Sequence, residues 1–129
     1  PQMNFLKVPC QGGTAIVGNA RIPLPRGLAQ PNEVVLGIRP EHIHLAQSQN
    51  EPALNGEVFL LENLGMHNLV SVRTANHLNE PMNIRAILPI EAGIGARSHV
   101  RLVLPTQHLH WFDVATGDRI ASSPARVMA

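Results

Sequence analysis

Tyrosine is absent from this chain of 129 residues, and cysteine occurs once, as Cys10. A lone thiol excludes an internal disulfide and is compatible with a reducing compartment. Three phenylalanines and one tryptophan, Trp111, are the remaining aromatics. A groove for single-stranded nucleic acid needs stacking aromatics along a positive track, and this chain has neither. Only 15% of residues are charged and the net charge is +1, so no strong field steers nucleic acid or an anionic membrane toward it. No apolar run is long enough to span a bilayer. The opening PQMNFLKVPC lacks the basic segment and long apolar stretch of a secretory signal. It also lacks an initiator methionine, from which we expect a piece of a longer protein.

Motifs that carry chemistry are missing as well. GNARIPLPRG and GIGARS contain glycine but no following Lys-Ser or Lys-Thr, so nothing cradles a nucleotide phosphate. There is no nucleophile elbow G-x-S-x-G and no zinc helix H-E-x-x-H. Cys10 sits in VPCQGG, with no neighbouring base or cation to activate its thiol, and reads as a buried or turn-side residue. We expect no catalytic residue, no bound cofactor and no nucleic-acid partner.

What is abundant is punctuation. Ten glycines and eleven prolines leave Met66 to Glu80 as the longest run free of both, which disfavours a helical bundle. The segments between breaks alternate with period two. Val34, Leu36 and Ile38 share a face; so do Val70 and Val72, with Ser71 and Arg73 opposite. Ile84, Ala86 and Leu88 align against Arg85, and Val100, Leu102 and Leu104 against His99 and Arg101. Half-buried strands produce this pattern. NFLKV, GTAIVG and GEVFLLENL are further strand candidates. The length fits one domain over residues 1–129, and the spacing of breaks fits a small antiparallel β-barrel or sandwich. At most one short helical turn is expected, at PTQHLH, capped by Thr106, and the tail 121–129 is expected to fray.

Two His-x-His pairs, His42/His44 and His108/His110, raise the question of metal. On strands each pair would share a face, opposite Ile43 and Leu45 in one case and Leu109 and Trp111 in the other. If the pairs met, four imidazoles would be available to zinc. The simpler reading is a barrel strand with apolar residues inside and histidines outside. Between Gly37 and His42, Pro40 forces Arg39 to be extended and ends the preceding strand, leaving Arg39 and Glu41 at a corner.

PQMNFL, VVLGIRPEHIHL and LPTQHLHWFDVATGDRI occur in that order, with GEVFLLENLGMHNLVSVRT between the last two. Together they resemble the C-terminal part of ATP-binding subunits of sugar- and glycerol-phosphate-importing ABC transporters, the transport-associated OB (TOBE) domain. The resemblance implies an OB-like antiparallel barrel with extra strands and a regulatory role that includes homodimerisation. It implies a parent complex with membrane-spanning permease subunits and a solute-binding protein, peripheral on the cytoplasmic side of the inner membrane. ATP and Mg would belong to a domain upstream. It further implies turn roles for Pro40, Gly65, Gly117 and Asp118, with Asp113 and Thr116 in the same turn as Gly117, and an interface or regulatory role for Arg39, Glu41 and Trp111. Met66, His67 and Asn68 depart from the small and acidic residues usual after Leu64-Gly65, and the serine- and asparagine-rich oxyanion motif of molybdate-binding relatives is missing. The rival reading is a free-standing small-molecule or metal-sensing barrel that uses the histidine pairs.

Overall fold

The computed structural model of the chain describes residues 2–121, so the tail expected to fray lies, beyond Ala121, outside the described residues. Eleven strands follow in order: β1 (Asn4–Gln11), β2 (Thr14–Val17), β3 (Ala20–Pro23), β4 (Glu33–Ile38), β5 (His44–Leu45), β6 (Leu54–Asn63), β7 (His67–Ala75), β8 (Pro81–Pro89), β9 (His99–Val103), β10 (His110–Phe112) and β11 (Arg119–Ala121). They form a six-stranded sheet, β11-β10-β4-β1-β2-β3, and a five-stranded sheet, β5-β9-β6-β7-β8. Neighbouring strands pair antiparallel throughout, in β1–β4, β6–β7 and β7–β8 over most of their length. The all-β expectation is met: the sheets enclose one core as a small barrel with added strands.

Alternation builds that core. Val34, Leu36 and Ile38 of β4 are buried, as are Val70 and Val72 of β7, Ile84, Ala86 and Leu88 of β8, and Val100 and Leu102 of β9. Each large aliphatic side chain taken from water contributes about 1.5–3 kcal/mol. Two departures come from neighbouring strands. Ser71 was expected to face outward, yet it is buried, because β7 is interior to its sheet and Leu60 and Arg85 stand on either side of Ser71 in register. A bulge between Val58 and Leu60 of β6 shifts the alternation and leaves both Phe59 and Leu60 exposed.

Among the described residues three 3₁₀ turns replace the single helical turn expected: Pro40–His42, Ile90–Ala92 and Thr106–His108. Each is started by a proline. Pro40 is the first residue of its turn, and Pro89 and Pro105 precede theirs in extended conformation. The proline ring holds φ where one turn can begin but gives no apolar period to continue it. Thr106 does not cap; it is the first residue inside its turn, Pro105 holds the cap position, and no side chain bonds there.

The two sheets are also stapled by asparagine side chains. The Asn4 amide donates to the Ile38 and Arg85 carbonyls (3.1 and 2.9 Å), and its oxygen accepts the Arg85 N–H at 2.8 Å. In the turn between β2 and β3 the Asn19 amide donates to the Ala53 carbonyl at 3.0 Å, and its oxygen accepts the Asn55 N–H at 2.8 Å. Each amide acts as one extra strand residue, pairing backbone groups that a strand edge would leave free.

Candidate functional site

The corner expected at Arg39-Pro40-Glu41 is where the chain leaves the six-stranded sheet for the other one. Arg39 is extended (φ −77°, ψ 143°), as a residue before proline must be. Pro40 is buried while Arg39 and Glu41 are exposed on either side of it. A buried proline between two exposed ions fixes a corner and presents both charges to solvent.

Ile43, after the turn, is buried, and His44 begins β5, exposed and paired with Val103. His42 and His44 therefore do not share a strand face. His42 closes the 3₁₀ turn, a geometry that alternation alone does not anticipate. The second pair is built the same way: His108 closes the turn Thr106–His108, Leu109 is buried and His110 begins β10. The fold brings one member of each pair together, with the His42 and His108 rings stacked at 3.9 Å between centroids and 20° between planes. Nδ1 of His42 and Nδ1 of His110 are buried without a hydrogen-bond partner. Burial first, then the charges of Arg119 and Arg39 and the nearby His42 and His108, hold the His110 imidazole below its ordinary range. This arrangement does not fit the four-imidazole zinc site: among the described residues no three His, Cys, Asp or Glu side chains converge on one point.

Trp111 is a correction. Expected at an interface, it is 0% exposed and lies in the barrel core, paired in register with Leu36. Strand alternation decides its direction, since Trp111 lies between the half-buried His110 and Phe112. On the outer face of the same sheet Phe112 meets Phe5 edge to face at 5.7 Å, and Phe5 is 60% exposed. Gly37 lies between β1 and β10 at this point; a Cβ there would stand 2.9 Å from the Phe112 ring and 2.7 Å from the Met3 sulfur. Absence of a side chain at residue 37 leaves room for the Phe112 ring and the Met3 sulfur over this strand.

Pro40 begins a 3₁₀ turn, and Gly65, Gly117 and Asp118 lie in connections between strands. Gly65 lies between β6 and β7 with φ +102°, its N–H accepted by Asn63 Oδ1 at 2.8 Å. Gly117 has φ +78° and donates to the Asp113 carbonyl at 2.8 Å. Both lie in the left-handed region that favours glycine. Asp113 organises the second turn: its Oδ1 accepts the N–H groups of Ala115 and Thr116 at 2.8 and 2.9 Å. The Thr116 N–H first, then Ala115 and the Thr116 hydroxyl, hold this carboxyl below its usual range against an opposing effect of burial. Asp118 serves through its main chain, donating to Thr116 Oγ1 and accepting from the Asp113 N–H.

Sequence reading did not single out Asn4, Asn19 or Arg101. The Arg101 guanidinium donates to the carbonyls of Ser48 (2.8 Å) and Glu51 (2.6 Å), fixing the loop between β5 and β6. It borders an open groove of about 790 Å³ with Glu57, Arg73 and His99. With Arg101 committed to that loop and Arg73 lying over the Phe59 ring at 4.5 Å, the cations of the groove serve the fold. Burial, and then Glu33, push the Cys10 thiol up, which leaves it a poor nucleophile.

Comparison with known proteins fits this architecture. The family model described as the MalK OB fold domain matches residues 1–43, and the TOBE domain model matches residues 36–112. The sn-glycerol-3-phosphate import ATP-binding protein UgpC of Chromohalobacter salexigens is 34% identical over 125 residues, covering 93% of this chain and 32% of that protein. Its counterpart from Paraburkholderia xenovorans is 35% identical over 129 residues, covering 92% of this chain and 34% of that protein. The chain thus spans about a third of the length of the curated relatives it matches. A crystal structure of the cytoplasmic molybdate-binding protein ModG, with molybdate bound, superposes with a TM-score of 0.61 at 15% identity, over 84% of this chain and 94% of that one. At that identity the likeness is one of fold. The chain belongs to the TOBE domain family, with a MalK-type OB fold at its amino-terminal end.

Proposed function

We propose that this chain is the regulatory and dimerisation part of the ATP-binding subunit of an ABC importer for glycerol phosphate, sugars or related solutes. The observation that carries this reading is the match to UgpC proteins along 92–93% of the chain. In this reading ATP and Mg are held by a domain outside these residues, and the chain hydrolyses nothing itself. The complete subunit assembles with permease subunits and a solute-binding protein, peripheral on the cytoplasmic side of the membrane. No helix among the described residues is long and apolar enough to cross one.

Two features support the regulatory role. Arg39 and Glu41 flank a buried proline and offer a fixed pair of opposite charges to a partner subunit. Phe5 leaves apolar surface on the outer face of the six-stranded sheet, suited to a second copy of the chain. A tether of this kind keeps two ATPase domains at high effective concentration between cycles.

The test is an ATPase assay on the chain alone and on the full subunit from the same gene. The chain alone should show no turnover above background. In the full subunit reconstituted with permease, Arg39→Ala/Glu41→Ala should alter the stimulation of ATPase by loaded solute-binding protein at unchanged nucleotide affinity. Turnover by the chain alone, or stimulation unaffected by the double substitution, would count against the assignment.

A further inference from the structure

The pairing of the six-stranded sheet fixes what its outer face presents. In register, Phe5 lies beside Gly37, Lys7 beside Val35 and Pro9 beside Glu33, while β10 sets His110 beside Gly37 and Phe112 beside Val35. Residues paired in register share a face. The opposite face carries Leu6, Val8, Val34, Leu36, Ile38 and Trp111, all buried in the core. β4 therefore turns Glu33, Val35 and Gly37 outward. Arg39 follows with extended backbone between the buried Ile38 and Pro40, and continues the same outward row. Along that row an exposed acid comes first, two uncharged residues follow, and an exposed base comes last.

We infer that two copies of the chain stack on this face with their β4 strands antiparallel across a two-fold axis, so that Glu33 of each copy faces Arg39 of the other. The inference rests on the dimer reading above and adds its geometry. A row that runs from acid to base is complementary to its own reverse. Parallel stacking would set Glu33 against Glu33 and Arg39 against Arg39, and those like charges repel. The axis crosses β4 at the level of Leu36, midway between the two charges. Facing sheets pack about 10 Å apart, a gap that a glutamate and an arginine reach across.

The rest of the face agrees with this register. The axis puts the row of Phe5, Gly37 and His110 from one copy over the row of Lys7, Val35 and Phe112 from the other. Phe5, 60% exposed, then takes the Lys7 ammonium of the second copy on its ring as a cation–π contact. Phe112 of its own copy already meets it edge to face at 5.7 Å and steadies the ring for that contact. Half-buried Val35 and Phe112 are covered as well, which removes apolar surface that the single chain leaves in water. The contact is isologous, so it closes at two copies and does not propagate. The ion pairs lie toward the ends of β4, where they set register and orientation more than affinity.

Light scattering across a concentration series, on the 129-residue chain and on the full subunit from the same gene, tests the register. Glu33→Arg or Arg39→Glu alone turns both attractive contacts into repulsive ones and should weaken dimerisation about ten-fold or more. The double reversal Glu33→Arg/Arg39→Glu should restore the parent dissociation constant to within about three-fold. Restoration also separates a lost contact from a lost fold. Glu62→Arg, on β6 of the other sheet, makes the same change in net charge as Glu33→Arg and should leave dimerisation unchanged. Dimers that survive the single reversals, or that the double reversal does not restore, overturn this register. They leave the face to another occupant, such as the ATPase domain, with the dimer reading intact. Monomers at every concentration in both forms overturn the dimer reading and the register with it.

Discussion

Trp111 sets two readings of one residue against each other. The family resemblance implies an interface role for it, whereas strand alternation sets it opposite the histidines, on the apolar face. In the fold it is the largest of the fully buried side chains, and its indole N–H has no hydrogen-bond partner. As the only tryptophan of the chain it reports on the core directly. Its fluorescence should be blue-shifted and resistant to iodide quenching, and Trp111→Ala should lower stability by about 3–5 kcal/mol in urea titration. An emission maximum typical of water-exposed indole would place the ring outside the core. The direction of Trp111 was legible in the alternation Leu109, His110, Trp111, Phe112. What the alternation could not supply was the partner, Leu36, 75 positions earlier in the chain.

At the scale of elements, the longer strands were readable, while most of the short ones, apart from β2 within GTAIVG, were not. EVVLGI, NLVSVRT and NIRAILP alternate for enough residues to fix both strand and face, and β4, β7 and β8 follow them. β3, β5, β10 and β11 are two to four residues long, too short for a period to be seen. They exist because neighbours offer unpaired backbone groups. The asparagine staples obey the same logic, since nothing near Asn4 in sequence announces a bond to Arg85, 81 positions on. Asn4→Ala leaves the Arg85 N–H and carbonyl without these partners at the edge strand β8 and should cost about 1–2 kcal/mol, since water replaces part of the loss. Asn4→Asp keeps the acceptor alone and should recover part of it. A urea midpoint unchanged in Asn4→Ala would mean that the Asn4 bonds add nothing to the joint between the sheets.

For the molecule as a whole, the shape leaves one aromatic with most of its surface in water, Phe5, packed beside Phe112 where Gly37 carries no side chain. If that face joins two copies, Phe5→Glu should shift the chain toward monomer in light scattering across a concentration series, by about ten-fold or more in dissociation constant. Its thermal midpoint, measured in the dilute monomer range, should stay within a few degrees of the parent, because Phe5 contributes little to the core. A parent chain that is monomeric at every concentration would place the contact elsewhere or make it depend on the ATPase domain.

Composition, punctuation and period-two alternation by themselves determined that this chain is all-β, that it carries no phosphate loop, and which faces of the long strands are buried. Those properties are local: a strand's face is set by every second residue, and a nucleotide loop by a contiguous motif. Tertiary structure alone decided that the histidine pairs meet through His42 and His108 and that Asn4 and Asn19 close the barrel. It also decided that Ser71 lies under cover. These are contacts between segments tens of residues apart, fixed by the order of strands across two sheets, and no local pattern encodes that order.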